Sequence, residues 1–212
     1  RRPYEVGSSA RLVSPPAGVT YGAHPVPDAG CVEGCQRIVE LTEDLQPEDL
    51  VITMIGNGIG SLLTYPAEGI SLDDVQKVVH LFQIEKGGPT VDLIPIRNHL
   101  DRIKGGQFSK YIQPARAIHI LAFHTNSYER VMTAPRYRWL HTLPDETTNA
   151  DAIAALKRWG CWEDVPESVR TYLSNPHPTR ETLKIAEFEA MDQRIFCLFP
   201  KDLAVVRTAV QK

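Results

Sequence analysis

The stretch Asp49-Leu-Val-Ile-Thr-Met-Ile-Gly-Asn-Gly-Ile-Gly-Ser-Leu-Leu-Thr64 decides the fold class of this chain. Val51 to Ile55 is a short continuous apolar run, the pattern of a strand buried on both faces of a parallel sheet. It empties into a loop with Gly56, Gly58 and Gly60 at alternate positions. Glycines there let backbone N–H groups crowd around a ligand, and the usual ligand of such a loop is a phosphate. The plain alternative is a tight strand-to-helix turn that binds nothing. In open parallel sheets ligands sit beyond the carboxyl ends of the strands, which is where this loop falls.

Working outward, Val32, Ile38, Val39 and Leu41 recur at helical spacing with Glu33, Arg37 and Glu43 between them, which predicts an amphipathic helix over 30–44. On the other side, Ser71-Leu-Asp-Asp74 reads as a helix start with Ser71 as N-cap. That helix carries Val75, Val78, Val79 and Phe82 inward until Gly87-Gly88-Pro89 stops it. Val91 to Ile103 reads as a short helix ended by Gly105-Gly106. Ala117 to Phe123 and Arg194 to Phe199 are further strands, with helical patterns over 150–159 and 181–191 and a weaker one over 165–173. Pro200 opens a last predicted helix, Lys201 to Val210. Strands alternating with helices predict an α/β layered domain with a mainly parallel sheet. Residues 1–30, rich in proline and glycine, read as a lead-in segment, and 31–212 as a single α/β domain.

A chain of 212 residues can bury a full core. Its formal charge of -3 argues against a nucleic-acid binder, and the one basic and aromatic cluster, Arg130 to Arg138, reads as a solvated loop. No apolar run approaches a bilayer span and the N-terminus lacks the apolar core of a signal peptide, so the expectation is a cytoplasmic protein without a membrane partner. Cys31, Cys35, Cys161 and Cys197 are too few and too scattered for a disulfide framework. Cys31 and Cys35 could share a helix face and hold half a metal site, but the other two supply no second pair, and they read as ordinary reduced thiols with no metal expected.

Three segments in register resemble the N-terminal domain of the bacterial glycerate 2-kinase family, some of whose members carry the name hydroxypyruvate reductase. Gly22-Ala-His-Pro-Val-Pro-Asp-Ala-Gly30 is similar to the family's G-H-P-V-P-D-x-x-G. Ile55 to Leu63, followed by Pro66-Ala-Glu-Gly-Ile-Ser-Leu-Asp-Asp74, resembles I-S-G-G-G-S-A-L-L and then P-x-x-G-I-S-L-x-D. Arg97-Asn-His-Leu-Asp-Arg-Ile-Lys-Gly-Gly106 resembles V-R-K-H-L-S-x-I-K-G-G. The resemblance implies a Rossmann-like, three-layer α/β domain from enzymes that phosphorylate the 2-hydroxyl of glycerate with ATP and Mg2+. Carried over residue by residue, it implies that Gly56, Asn57, Gly58, Gly60 and Ser61 approach the nucleotide phosphates. Arg97 and Lys104 would then supply catalytic positive charge, and His99 would meet the substrate. Phosphoryl transfer needs donors and cations that hold spread-out negative charge more than it needs a nucleophile.

The chain also departs from that pattern. Asn57 and Ile59 interrupt the family's glycine triplet, and Ile59 puts a branched side chain where close approach to an anion favours no Cβ. Where the family has the acidic run S-D-V-P-G-D-D-P, this sequence has His124 to His141, and Glu129 alone does not replace a Mg2+-holding pair. The family's upstream βα unit and second domain have no counterpart in these residues. Two readings therefore stand side by side. One is an ATP-dependent phosphotransferase acting on a small 2-hydroxy acid. The other is a non-catalytic binding module, or a subunit of a larger ATP-dependent complex completed by a protein partner or a missing domain. An NAD(P)-linked reductase is disfavoured, because Gly56-x-Gly58-x-Gly60 lacks G-x-G-x-x-G spacing.

Overall fold

Strand β1 (Leu50–Ile55) pairs in parallel with β2 (Arg116–Leu121), which pairs in parallel with β3 (Gln193–Cys197), in the computed structural model describing residues 19–122 and 140–198. The register sets Val51, Thr53 and Ile55 beside Ala117, His119 and Leu121, and these beside Gln193, Ile195 and Cys197. Side chains alternate across a strand, so these nine residues share one face of the sheet. The α/β class with a parallel sheet expected from the sequence is present.

Several helices cover that face, two of them over Val51 and Ala117. Helix α1 (Ala29–Glu40) starts where the Asp28 carboxylate accepts from the N–H groups of Gly30 and Cys31, and it packs Cys35, Ile38 and Val39 against Val51 and Ala117. A short helix over 108–112 brings Phe108 and Ile112 into the same cluster. The opposite face corrects the expectation of a strand buried on both sides: Ile52, Met54 and Phe196 are 57%, 76% and 54% exposed, because no described helix packs there. All four cysteines are free thiols, and among the described residues no group of His, Cys, Asp and Glu could hold a metal ion.

The largest apolar cluster lies beside the sheet, among helices. Numbered in chain order after α1, the described helices are α2 (Ile59–Leu62), α3 (Leu72–Val79), α4 (Thr90–His99), α5 (Phe108–Ile112), α6 (Asn149–Arg158), α7 (Glu167–Ser174) and α8 (Ile185–Glu189), and the cluster lies among α3, α4, α6 and α7. Helix α3 begins with the expected box, in which Ser71 Oγ accepts from Asp74 N–H at 3.0 Å and the Asp74 carboxylate accepts from Ser71 N–H at 3.0 Å. Val75, Val78, Val79 and Phe82 then meet Leu93, Ile96 and Leu100 of the α4 region and Ala152, Ala155 and Leu156 of α6.

The structure corrects several element boundaries. The first helix ends at Glu40, short of 44. The helix after Ser71 widens into a π-helical turn over His80–Glu85 before the glycines stop it. The long helix expected over 181–191 is reduced to α8, because residues 182 and 183 are drawn into hydrogen bonds with Asp145 and Gly105. The predicted helix 201–210, the Arg130 to Arg138 cluster, Glu129 and the strand ends Phe123 and Phe199 lie outside the described residues.

Candidate functional site

At the carboxyl end of β1 the chain turns through Gly56 and Asn57 into Gly58, which has a φ of +91° and heads α2. A left-handed residue at that point reverses the chain sharply and is easiest for glycine. Beside this loop lies a cavity of about 180 Å³, whose polar lining comes from Asn57, Ser61, Gln83, Arg97 and Lys104 together with His24 and the Pro25 backbone. Gly58 and Gly60 also line it. Among the described residues no Asp or Glu contributes to its wall.

The three sequence segments meet at the Pro25 carbonyl. It accepts from Ser61 Oγ at 2.7 Å and from Arg97 Nη2 at 3.2 Å, so the first segment is tied to both the loop and α4. Arg97 Nη2 also donates to Gln83 Oε1 at 3.3 Å, and Gln83 donates in turn to Thr90 Oγ1. The π-helical turn is what carries Gln83 to this point. Burial pushes the Arg97 guanidinium down to about 10, which leaves it charged at neutral pH. Among the described residues no carboxylate lies within ion-pair distance of it. A half-buried cation whose hydrogen-bond partners are neutral, with the Asp101 charge acting on it only at longer range, creates a positive field at the cavity mouth.

Lys104 is differently placed. Its Nζ donates to the Asp101 carboxylate at 3.0 Å, to Thr64 Oγ1 at 3.2 Å and to the Leu63 carbonyl, and both members of the pair have side chains only 3% exposed. Asp101 further accepts from the N–H groups of Tyr65, Ile103 and Lys104. A pair this buried and this fully hydrogen-bonded is a structural strut whose charges cancel locally. The cavity wall includes Lys104, but the charge reaching a ligand there comes chiefly from Arg97.

His99 does not line the cavity. Its buried ring bonds through Nδ1 to the Pro95 carbonyl at 2.8 Å, and Nε2 faces Glu181 at 3.6 Å. Gly56 stands at the strand end and also falls outside the lining. His24, Gln83 and Thr90 do line it, and of these only His24 had a sequence signal, through the first of the three segments.

Comparison with known proteins follows the same lines. A family described as a domain of unknown function, DUF4147, matches residues 6–174. The chain belongs to the DUF4147 family. This DUF4147 chain is 28% identical over 155 residues to the D-glycerate 2-kinase of Thermotoga maritima, covering 73% of this chain and 36% of that protein. It is 38% identical over 143 residues to a putative hydroxypyruvate reductase of Agrobacterium vitis, covering 66% and 35%. The crystal structure of a glycerate kinase from Thermotoga maritima superimposes with a TM-score of 0.63 at 25% identity, over 83% of this chain and 39% of that one. A Pyrococcus horikoshii protein superimposes with a TM-score of 0.72 at 25% identity, over 91% and 43%. The DUF4147 chain thus spans well under half the length of the relatives it matches.

Of the two groups the glycerate kinase resemblance implies, the cavity suits one. Arg97, the Asn57 amide and the glycine loop fit the phosphate end of a nucleotide, since they offer donors and a cation without an opposing carboxylate. Mg2+ prefers one or two carboxylates beside substrate phosphates, and the described lining residues offer none.

Proposed function

We propose that this chain is the nucleotide-binding part of a glycerate-kinase-like phosphotransferase, which binds the phosphates of ATP and acts on a small 2-hydroxy acid. The observation that carries the reading is Arg97, a half-buried guanidinium held by Pro25 and Gln83 and facing a cavity whose described lining holds no acidic residue. Charge spread over the oxygens of a transferring phosphoryl group is stabilised by such a preorganised cation. The glycine loop and Asn57 would orient the phosphates, and Lys104 would keep the cavity floor in place through Asp101. ATP as donor goes with a cytoplasmic setting. No helix among the described residues is long and apolar enough to cross a membrane.

A second reading is favoured by two particulars: Lys104 is paired with Asp101, and the described lining of the cavity offers no carboxylate for Mg2+. Under it the domain binds nucleotide without turning it over, as a module or as a subunit of a larger ATP-dependent enzyme. Calorimetry with ATP and ADP, with and without Mg2+, followed by a phosphoglycerate assay on the intact polypeptide, separates the two. Phosphoglycerate formation that Arg97→Gln lowers at least about a hundredfold supports catalysis. Metal-independent ADP binding with no product supports the binding module. Absence of nucleotide binding overturns both.

A further inference from the structure

A second recess lies on the other side of the Asp101–Lys104 strut: Lys104 walls the cavity described above, while Asp101 walls a polar cleft of about 360 Å³. Two arginines from distant parts of the chain enter this cleft. Arg102 follows α4, with its guanidinium carbon 4.8 Å from the centroid of the Tyr65 ring and its Nε donating to the Pro66 carbonyl at 3.1 Å. Arg180 closes the 3-10 turn Pro178–Arg180, 5.0 Å from the Tyr172 ring centroid. Stacking on an aromatic ring fixes the plane of a guanidinium while leaving its edge donors available.

Neither arginine has a carboxylate within ion-pair distance among the described residues. Of the two acids in the cleft wall, Asp101 is consumed by Lys104 and three backbone N–H groups, and Glu68 stands exposed at the rim. His177 adds a donor: its Nδ1 accepts from Thr179 N–H, which leaves Nε2–H directed elsewhere. Burial pushes the Tyr172 phenol up while Arg180 and Arg102 pull it down against smaller opposing effects of Asp101 and Glu68, so the two cations outweigh the two acids at this ring.

We propose that this cleft is a second anion site, independent of the nucleotide cavity, that takes the phosphate group of a small phosphate monoester between Arg102 and Arg180. Two planar donor forks from separate segments match the several oxygens and double charge of a phosphate better than the two oxygens of a carboxylate. The imidazole of His177 supplies the third side. Because the site uses no residue of the cavity, its occupancy is separable from any nucleotide chemistry.

Titration of the full chain with inorganic phosphate, followed by NMR at the Arg102 and Arg180 Nε–H resonances, tests the proposal. Saturable shifts of both resonances are expected, with affinity at least about tenfold weaker in Arg180→Gln, a change at an exposed side chain whose folding is checked by an unchanged urea-unfolding midpoint, and little response to acetate. Unmoved resonances, equal phosphate affinity in Arg180→Gln, or acetate binding as tight as phosphate would each overturn it.

Discussion

Gly58 is the loop position whose own backbone demands glycine. A side chain at a φ of +91° costs roughly 1–2 kcal/mol, so Gly58→Ala is expected to lower unfolding free energy by about that amount in urea titrations. Gly56→Ala is expected to change it by less than about 0.5 kcal/mol, since a Cβ there would sit 3.9 Å from the Ala122 carbonyl oxygen, an ordinary contact. A Cβ at Gly60 would lie 3.7 Å from Arg97 Nη1, again without a clash. The alternate glycines thus look equivalent in sequence and are not equivalent in space. Lys104 gives the second residue-scale expectation. Lys104→Met strands the buried Asp101 carboxylate and should destabilise the fold by about 3–5 kcal/mol, read by urea unfolding, whether or not the chain turns over substrate. The lysine was visible in its motif, but its pairing was not, because that depends on how the turn after α4 folds Asp101 back beneath it.

At the scale of elements, local chemistry carried far. Ser71 and Asp74 cap α3 as their spacing requires, and Ser71→Ala should lower stability by about 1 kcal/mol in thermal unfolding. The same argument applies to Thr148 and Asp151 at the start of α6. Periodicity placed α1, α3, α6 and α7, and continuous apolar runs placed all three strands. It failed where tertiary contacts overrode local preference. Phe82 packs under Gly88, where a Cβ would come within 2.2 Å of its ring, and the Leu81 carbonyl accepts from Lys86 N–H, five residues on. Nothing in the 3.6-residue period announces that widened turn, yet it brings Gln83 to Arg97. Residues 181–184 had a helical pattern but run extended, because Leu183 N–H bonds to Gly105 and its carbonyl accepts from Asp145 N–H.

At the scale of the whole molecule, a buried histidine makes stability depend on pH. His141 donates from Nε2 to the Leu63 carbonyl at 2.8 Å, and its Nδ1 has no partner. Burial, reinforced by the nearby Lys104 charge, pushes its pKa from 6.5 down to about 3. The unfolded chain therefore binds this proton at a higher pH than the folded one. Stability from this source is fully present above about pH 6.5 and falls by up to about 1.4 kcal/mol per pH unit until about pH 3. Urea unfolding across that range should show a shallower acid loss in His141→Gln than in the parent chain. The open sheet face, with Ile52, Met54 and Phe196 exposed, belongs to the same scale, since only the assembled sheet lines these residues up.

By itself, the sequence determined what short-range physics governs: a strand ending in a glycine loop, capped amphipathic helices, and the alternation that makes a parallel α/β sheet, but not that one face of that strand stays exposed. The tertiary structure decided the site. It set His24 and Pro25 against Ser61 and Arg97, withdrew His99 to Pro95 and Glu181, and cancelled Lys104 with Asp101. Those outcomes turn on which cation finds a carboxylate once the chain closes. Arg97 reaches Pro25 and His99 faces Glu181 across dozens of residues, and the Asp101–Lys104 pair, only three residues apart, owes its burial to the packing around it, so none of these leaves a period for a sequence to display.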